Sequence, residues 1–135
     1  MEASLDIVAG GVLERHPGLR VAFLESGLGW LEYWLDRLDG HFESMRHHVP
    51  WLTRRPTELL REQCFISIES DEAHRLPRLG EMGLEGCVFW GADYPHYDCT
   101  YLGAVMELEE NLAPLAPALA EGVRWRTAER FLGLA

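Results

Sequence analysis

The sequence predicts an α/β fold in which about three parallel β-strands alternate with helices. Three short apolar runs, rich in β-branched and aromatic residues, lie near residues 19–25, 64–69 and 87–92 and are typical of strands. Apolar residues at helical spacing precede, separate and follow these runs. Such alternation produces right-handed βαβ units and therefore a parallel sheet. The runs are almost uniformly apolar, which indicates that both faces of the sheet are covered.

The first part of the chain is predicted to form helix, strand and helix. Helical spacing of Leu5, Val8 and Leu13 favours an amphipathic helix over residues 4–15, although Gly10 and Gly11 disfavour helix within it. A strand is predicted over residues 19–24. A strong helix is predicted over residues 30–42, because its apolar side chains form a single stripe: Leu31, Trp34, Leu35, Leu38 and Phe42.

The second part of the chain continues the alternation. The predicted elements are a polar loop over 44–56, a helical turn over 56–61, a strand over 64–68, a weak helix over 70–83, a strand over 87–90, a helix over 102–111 and a last helical turn over 127–132. Pro114 and Pro117 are expected to break the helix that ends near Asn111. His47 and His48 lie in the polar loop, where we expect them to be solvated.

Acidic side chains follow each predicted strand. Glu25, Glu69 and Asp93 come directly after the three apolar runs, and His96 follows on a loop that Pro95 directs away from the sheet. The carboxyl ends of parallel strands meet at one edge, where α/β folds place their chemistry. We therefore predict that Asp93 and Glu25 are catalytic and that His96 and Glu69 contact substrate. The alternatives are turn capping by Asp93, a solvent-facing strand end or an arginine partner for Glu25, and a capping role for Glu69.

Trp30 is a further candidate for substrate contact. It begins the helix that follows the predicted edge loop at Glu25, and its indole could form the floor of a pocket for a planar or apolar substrate. Packing in the core is the alternative for this side chain.

Composition narrows the class of protein. The 135 residues are sufficient for one domain, and a net charge of −10 disfavours nucleic-acid binding. The 12 basic residues are all arginine, which excludes a lysine Schiff base. The sequence has three cysteines without a CxxC pair and no basic leader, which predicts a cytoplasmic protein. It has no apolar run of ~20 residues, so no interaction with membranes is expected.

Several segments together resemble the amidohydrolase-related family, whose metal-dependent hydrolases and decarboxylases include aminocarboxymuconate-semialdehyde decarboxylase. The similar segments cover nearly the whole chain and include Gly11–Gly27, Tyr33–Leu38, Cys64–Glu69 and Trp90–His96. The two most specific segments are Leu-Glu-Ser-Gly around Glu25 and Asp-Tyr-Pro-His from Asp93.

The resemblance implies a (β/α)₈ barrel of the TIM type with one divalent metal. In that family the ligands are a His-x-His pair on the first strand, a histidine on a middle strand and an aspartate on the last strand. Asp93 matches that aspartate, and the full ligand set is absent from this chain. Zinc is the metal that the resemblance implies, whereas carboxylates with a single imidazole suit Mg²⁺ or Mn²⁺.

Length and resemblance together predict that residues 1–135 are the C-terminal half of such a barrel, since a full barrel needs ~250 residues. The implied reaction is attack of metal-activated water on a small carbonyl, amide or ester substrate, or a related decarboxylation. The alternative is a non-catalytic fragment, or a half-barrel completed by a partner chain, either a second copy or the missing N-terminal half. The absent His-x-His pair motivates this alternative.

Overall fold

The structure is a computed structural model that describes residues 1–134, and it confirms the predicted α/β fold. The strands are β1 (Val21–Phe23), β2 (Cys64–Ile68) and β3 (Val88–Trp90). The α-helices of this range are α1 (Glu2–Val8), α2 (Val12–Arg15), α3 (Leu31–Ser44), α4 (Pro56–Gln63), α5 (Ala104–Leu112), α6 (Pro117–Glu121) and α7 (Thr127–Leu132). Further helical segments are 3₁₀-helices at Arg46–His48 and Ser70–Leu79 and a π-helix at Gly122–Arg126. No helix among these residues is long and apolar enough to cross a membrane.

The three strands form one sheet in the order β1-β2-β3, which is also their order along the chain. β2 and β3 pair in parallel, with Ile66 opposite Val88 and Ser67 opposite Phe89. β2 has the bounds that the sequence predicts, whereas β1 and β3 are shorter than predicted. Because the strands are parallel, their carboxyl ends lie at the same edge of the sheet.

The chain divides into two compact units, and the first contains residues 1–21 and 29–64. In it the apolar stripe predicted for α3 is largely buried, with Leu31, Leu35, Leu38 and Phe42 removed from solvent. Trp34 of the same helix donates its indole N–H to Ser4 Oγ at 2.9 Å. Removal of this apolar stripe from water stabilises the unit.

The second unit contains residues 22–28 and the described residues from Phe65 onward. Its core combines the strands with the segments that flank them, and its fully buried side chains include Phe65, Ile66, Ile68, Leu76, Leu84 and Val88. Phe131 of α7 packs against Phe65, with ring centroids 5.2 Å apart. This unit therefore holds the sheet edge on which the sequence places the candidate site.

The single helix predicted over residues 4–15 is wrong, because α1 and α2 are separated at Ala9–Gly11. Gly11 has a φ of 75°, a left-handed conformation that glycine adopts readily. A Cβ added to Gly11 would lie 2.4 Å from Trp51 Cδ1, and the Trp51 indole donates to the Ala9 carbonyl at 2.8 Å. The tryptophan therefore occupies the space that a Cβ at position 11 would need in this conformation.

Two predictions in the second unit also need correction. The weak helix predicted over residues 70–83 is a 3₁₀-helix from Ser70 to Leu79. The break predicted at Pro114 and Pro117 is confirmed, since α5 ends at Leu112, but the last helical turn predicted over 127–132 begins earlier, at Pro117, and continues through the π-helix to Leu132. Proline fits the first helical position because no hydrogen-bond partner is available there for the N–H that proline lacks.

Candidate functional site

Three side chains from two strand ends converge in the second unit. Glu25 lies two residues beyond β1, Asp93 lies three residues beyond β3, and His96 follows in the next turn. One ligand atom from each lies within 4.8 Å of the other two. These three residues are called the acidic–histidine cluster below.

A short turn brings His96 to Asp93. The His96 N–H donates to the Asp93 carbonyl at 2.9 Å, and the side-chain atoms Nδ1 and Oδ2 are 2.8 Å apart. An ionised carboxylate only accepts hydrogen bonds, so His96 Nδ1 is the donor in this pair. The Nε2 atom of a neutral His96 ring is then free to accept a proton or a hydrogen bond.

Both carboxylates of the cluster have an unusual backbone conformation. Glu25 has a φ of 52° and Asp93 a φ of 56°, and they are the positive-φ residues other than glycine in the described chain. This conformation is disfavoured for side chains with a Cβ, and less so for aspartate than for glutamate. Strained residues of this kind concentrate at functional sites, where the surrounding structure holds them.

The sheet edge carries a cavity of about 220 Å³. Its lining residues are Leu24, Glu25, Ser67, Glu69, Phe89, Gly91 and Asp93. The three carboxylates that the sequence places after successive strands therefore line one cavity. His96 contacts Asp93 in that lining and lies 4.0 Å from Glu25 Oε2.

The surroundings of Glu69 raise the pKa of its carboxyl group. Burial raises the pKa of Glu69, and the negative charges of Asp71 and Asp93 raise it further. Glu69 is therefore easier to protonate than an ordinary glutamate, and in that form its carboxyl group can donate a hydrogen bond.

The donor atoms of the acidic–histidine cluster fit a divalent cation. Two carboxylates and an imidazole are ligand types that zinc accepts, and carboxylate oxygens also suit Mg²⁺ and Mn²⁺. Asp93 is the least exposed of the three side chains, at 17%, whereas Glu25 and His96 are about half exposed. The cluster is therefore accessible from solvent and has Asp93 as its most enclosed member.

Other histidines and Trp30 lie outside this arrangement. Trp30 belongs to the first unit, where it directly precedes α3, and it is absent from the lining of the cavity. Its contact with substrate stays a prediction. His47 and His48 are exposed, as predicted, with ring centroids 4.2 Å apart.

Ser67 is a lining residue that the sequence reasoning did not select. Its Oγ accepts a hydrogen bond from the Glu25 backbone N–H at 3.0 Å. Its position in the sequence could have indicated a role, because Ser67 is the polar residue in the otherwise apolar strand β2. Partners 42 residues apart in sequence give no local pattern that would reveal the contact.

Comparison with known proteins identifies relatives of the whole described chain. The sequence profile of the family described as amidohydrolase matches residues 1–134. No curated protein is significantly similar in sequence to this chain.

Solved structures of larger proteins share its fold. An amidohydrolase from Mycobacterium avium subsp. paratuberculosis K-10 superposes with a TM-score of 0.81 at 21% identity, over 96% of this chain and 32% of that one. The 5-carboxyvanillate decarboxylase of Sphingomonas paucimobilis superposes with a TM-score of 0.76 at 24% identity, over 96% of this chain and 38% of that one. The IDCase of Metarhizium anisopliae in apo form superposes with a TM-score of 0.69 at 17% identity, over 95% of this chain and 37% of that one. These structures are TIM barrels, and this chain spans about a third of their length.

Proposed function

Because the chain belongs to the amidohydrolase family, we propose that it is the C-terminal portion of a metal-dependent enzyme of the hydrolase or decarboxylase type. The observation that carries this proposal is the convergence of Glu25, Asp93 and His96 at the carboxyl edge of the sheet. In TIM barrels the catalytic groups lie at that edge.

The proposed metal ligand is Asp93, with Glu25 and His96 as the neighbouring groups that would help to hold the cation. Zinc is the cation that the family resemblance favours, and Mg²⁺ or Mn²⁺ suit a set with two carboxylates. A divalent cation supplies Lewis acidity, which polarises a carbonyl oxygen and lowers the pKa of water. The remaining ligands would come from residues outside this chain.

The chain's own residues would bind substrate and move protons. We assign Asp93 or Glu25 to accept a proton from the attacking water, because a carboxylate beside the reacting atoms can act as general base. His96 Nε2 would accept a hydrogen bond from the substrate, and Glu69 would contact it from the cavity wall.

The substrate class is a small molecule with a carbonyl, amide or ester group, or a carboxylate that loses CO₂. Hydrolysis is supported by the family to which the chain belongs. Decarboxylation is supported by the fold similarity to the 5-carboxyvanillate decarboxylase.

Metal binding by the purified chain tests this proposal. We expect Mn²⁺ or Zn²⁺ to bind in isothermal titration calorimetry, and Asp93→Ala to weaken binding by at least about 10-fold, since even groups that only support ligands contribute that much. Asp36→Ala removes an exposed carboxylate of α3 and should leave the affinity unchanged. No binding by the wild-type chain, or an equal affinity of Asp93→Ala, would contradict the proposal.

The second candidate function is a non-catalytic fragment or a half-barrel completed by a partner chain. It is favoured by one observation, namely that this chain spans about a third of the solved structures it matches. The adjoining gene sequence distinguishes the two candidates. An upstream reading frame that encodes His-x-His would provide the missing ligands and support completion by another polypeptide.

A further inference from the structure

We propose that Ser67 is a positioning residue that holds Glu25 in the orientation that the acidic–histidine cluster requires. This inference rests on the proposed function, because it concerns the affinity of the cluster for a divalent cation. Ser67 acts through the backbone of Glu25 and is not one of the three residues of the cluster, so it is not itself a ligand.

The contact joins the middle strand of the sheet to the end of β1. Ser67 lies in β2, and its Oγ accepts the Glu25 N–H at 3.0 Å. Glu25 has two features that need such support: a φ of 52°, which its side chain disfavours, and an N–H with no strand pairing, since β1 ends at Phe23. The Ser67 hydroxyl provides the hydrogen-bond acceptor that this N–H lacks beyond the end of β1.

Ser67 also lies beside the segment that carries Asp93. A Cβ added to Gly91 would come within 3.9 Å of Ser67 Cβ, an ordinary van der Waals distance, and both residues line the cavity. Ser67 therefore lies between the end of β1 and the end of β3. Its hydroxyl is the group that bonds the Glu25 N–H.

The alternative is that Ser67 fills space and its hydroxyl has no consequence for the cluster. In that case the loss of one exposed hydrogen bond would change stability slightly and would leave cation affinity unaltered. The two interpretations therefore predict different cation affinities, and these can be measured without the activity of the complete enzyme.

The test is the affinity of the purified chain for Mn²⁺ by isothermal titration calorimetry. We expect Ser67→Ala to weaken binding by about 10-fold, the lower range for groups that orient metal ligands. Ser67→Thr keeps the hydroxyl and should restore the affinity to within about 3-fold of wild type. Ser44→Ala is the matched control, because it removes a hydroxyl that donates to the Gly40 carbonyl in α3, and it should bind as wild type does.

Three outcomes would overturn the inference. If Ser67→Ala binds with wild-type affinity, the hydroxyl does not position Glu25. If Ser67→Thr is as weak as Ser67→Ala, side-chain shape rather than the hydrogen bond sets the affinity. If the wild-type chain binds no cation at all, the proposed function fails first, and this inference fails with it.

A measurement on the wild-type chain covers the case in which Ser67→Ala does not fold. Amide hydrogen exchange followed by NMR should show a protected Glu25 N–H, although this residue is exposed and outside a strand. Exchange of that N–H at the rate of a free amide would overturn the inference without any variant.

Discussion

The two carboxylates of the candidate site gain their proximity from backbone conformations that most residues avoid. Glu25 and Asp93 both leave their strands with positive φ, and this turns their side chains toward one cavity. Each such residue costs roughly 1–2 kcal/mol relative to an ordinary conformation. The site therefore reduces the stability of the fold that carries it, as is common for functional sites.

A carboxylate in the first unit has the opposite effect. Glu14 Oε1 accepts hydrogen bonds from the Thr53 N–H at 2.8 Å, the Thr53 hydroxyl at 3.0 Å and the Arg54 N–H at 2.9 Å. Burial raises the pKa of Glu14, but these hydrogen bonds and the charge of Arg54 outweigh it, so the pKa lies below its ordinary value. Ionised Glu14 therefore stabilises the folded chain.

We predict that Glu14→Ala lowers the free energy of unfolding by about 2 kcal/mol at pH 7, because it leaves two loop N–H groups without their acceptor. The depressed pKa sets the pH dependence: the contribution is complete above the unfolded value of 4.5 and is lost as pH falls through the folded value. Urea unfolding at pH 7 and pH 3 measures the difference.

Glu2→Ala is the control for that substitution, because Glu2 is exposed in the first turn of α1 and should contribute about 0.5 kcal/mol or less. A loss for Glu14→Ala that is equally large at pH 3 would show that packing, rather than the ionised carboxylate, is responsible.

At the scale of elements, the break between α1 and α2 depends on one glycine. Gly11 combines a φ of 75° with a contact that a Cβ would make 2.4 Å from Trp51 Cδ1. We predict that Gly11→Ala destabilises the chain by about 2–4 kcal/mol, through strain in the left-handed conformation and displacement of the Trp51 ring. Urea unfolding followed by circular dichroism measures the change.

Gly18→Ala is the matched control, because a Cβ there meets nothing within 4 Å and its φ is not positive. It should be neutral or raise stability by up to about 1 kcal/mol through reduced entropy of the unfolded chain. Equal effects of the two substitutions would show that the break does not depend on Gly11.

The elements differ in how well their sequences predict them. β2 is predicted residue for residue, since Cys64–Ile68 is an apolar run with clear limits. The break at Gly11 depends on Trp51, which lies 40 positions away, so no local pattern contains it. Glu25, Asp93 and His96 could be selected because polar groups after parallel strands meet at one edge, whereas the positive φ of the two carboxylates contradicts their intrinsic preferences.

At the scale of the whole molecule, the sheet of the described chain has two edge strands. The order β1-β2-β3 leaves β1 and β3 each with one unpaired side, whereas the barrels that this chain resembles close their sheet. The segment after β3 also exposes large apolar side chains, with Leu102 at 88% and Met106 at 70%. Open edges and exposed apolar surface together favour association with further polypeptide.

We predict that the isolated chain self-associates at micromolar concentration and that its apparent mass in size-exclusion chromatography with light scattering exceeds that of one chain. Association through apolar surface and strand edges should persist at 0.5 M NaCl, since these contacts are not screened by salt as contacts between exposed charges are. A mass of one chain at every concentration would argue against completion by a partner. A monomeric chain would also mean that a three-stranded sheet with two open edges does not associate. The proposed metal site would then have only the ligands of this chain.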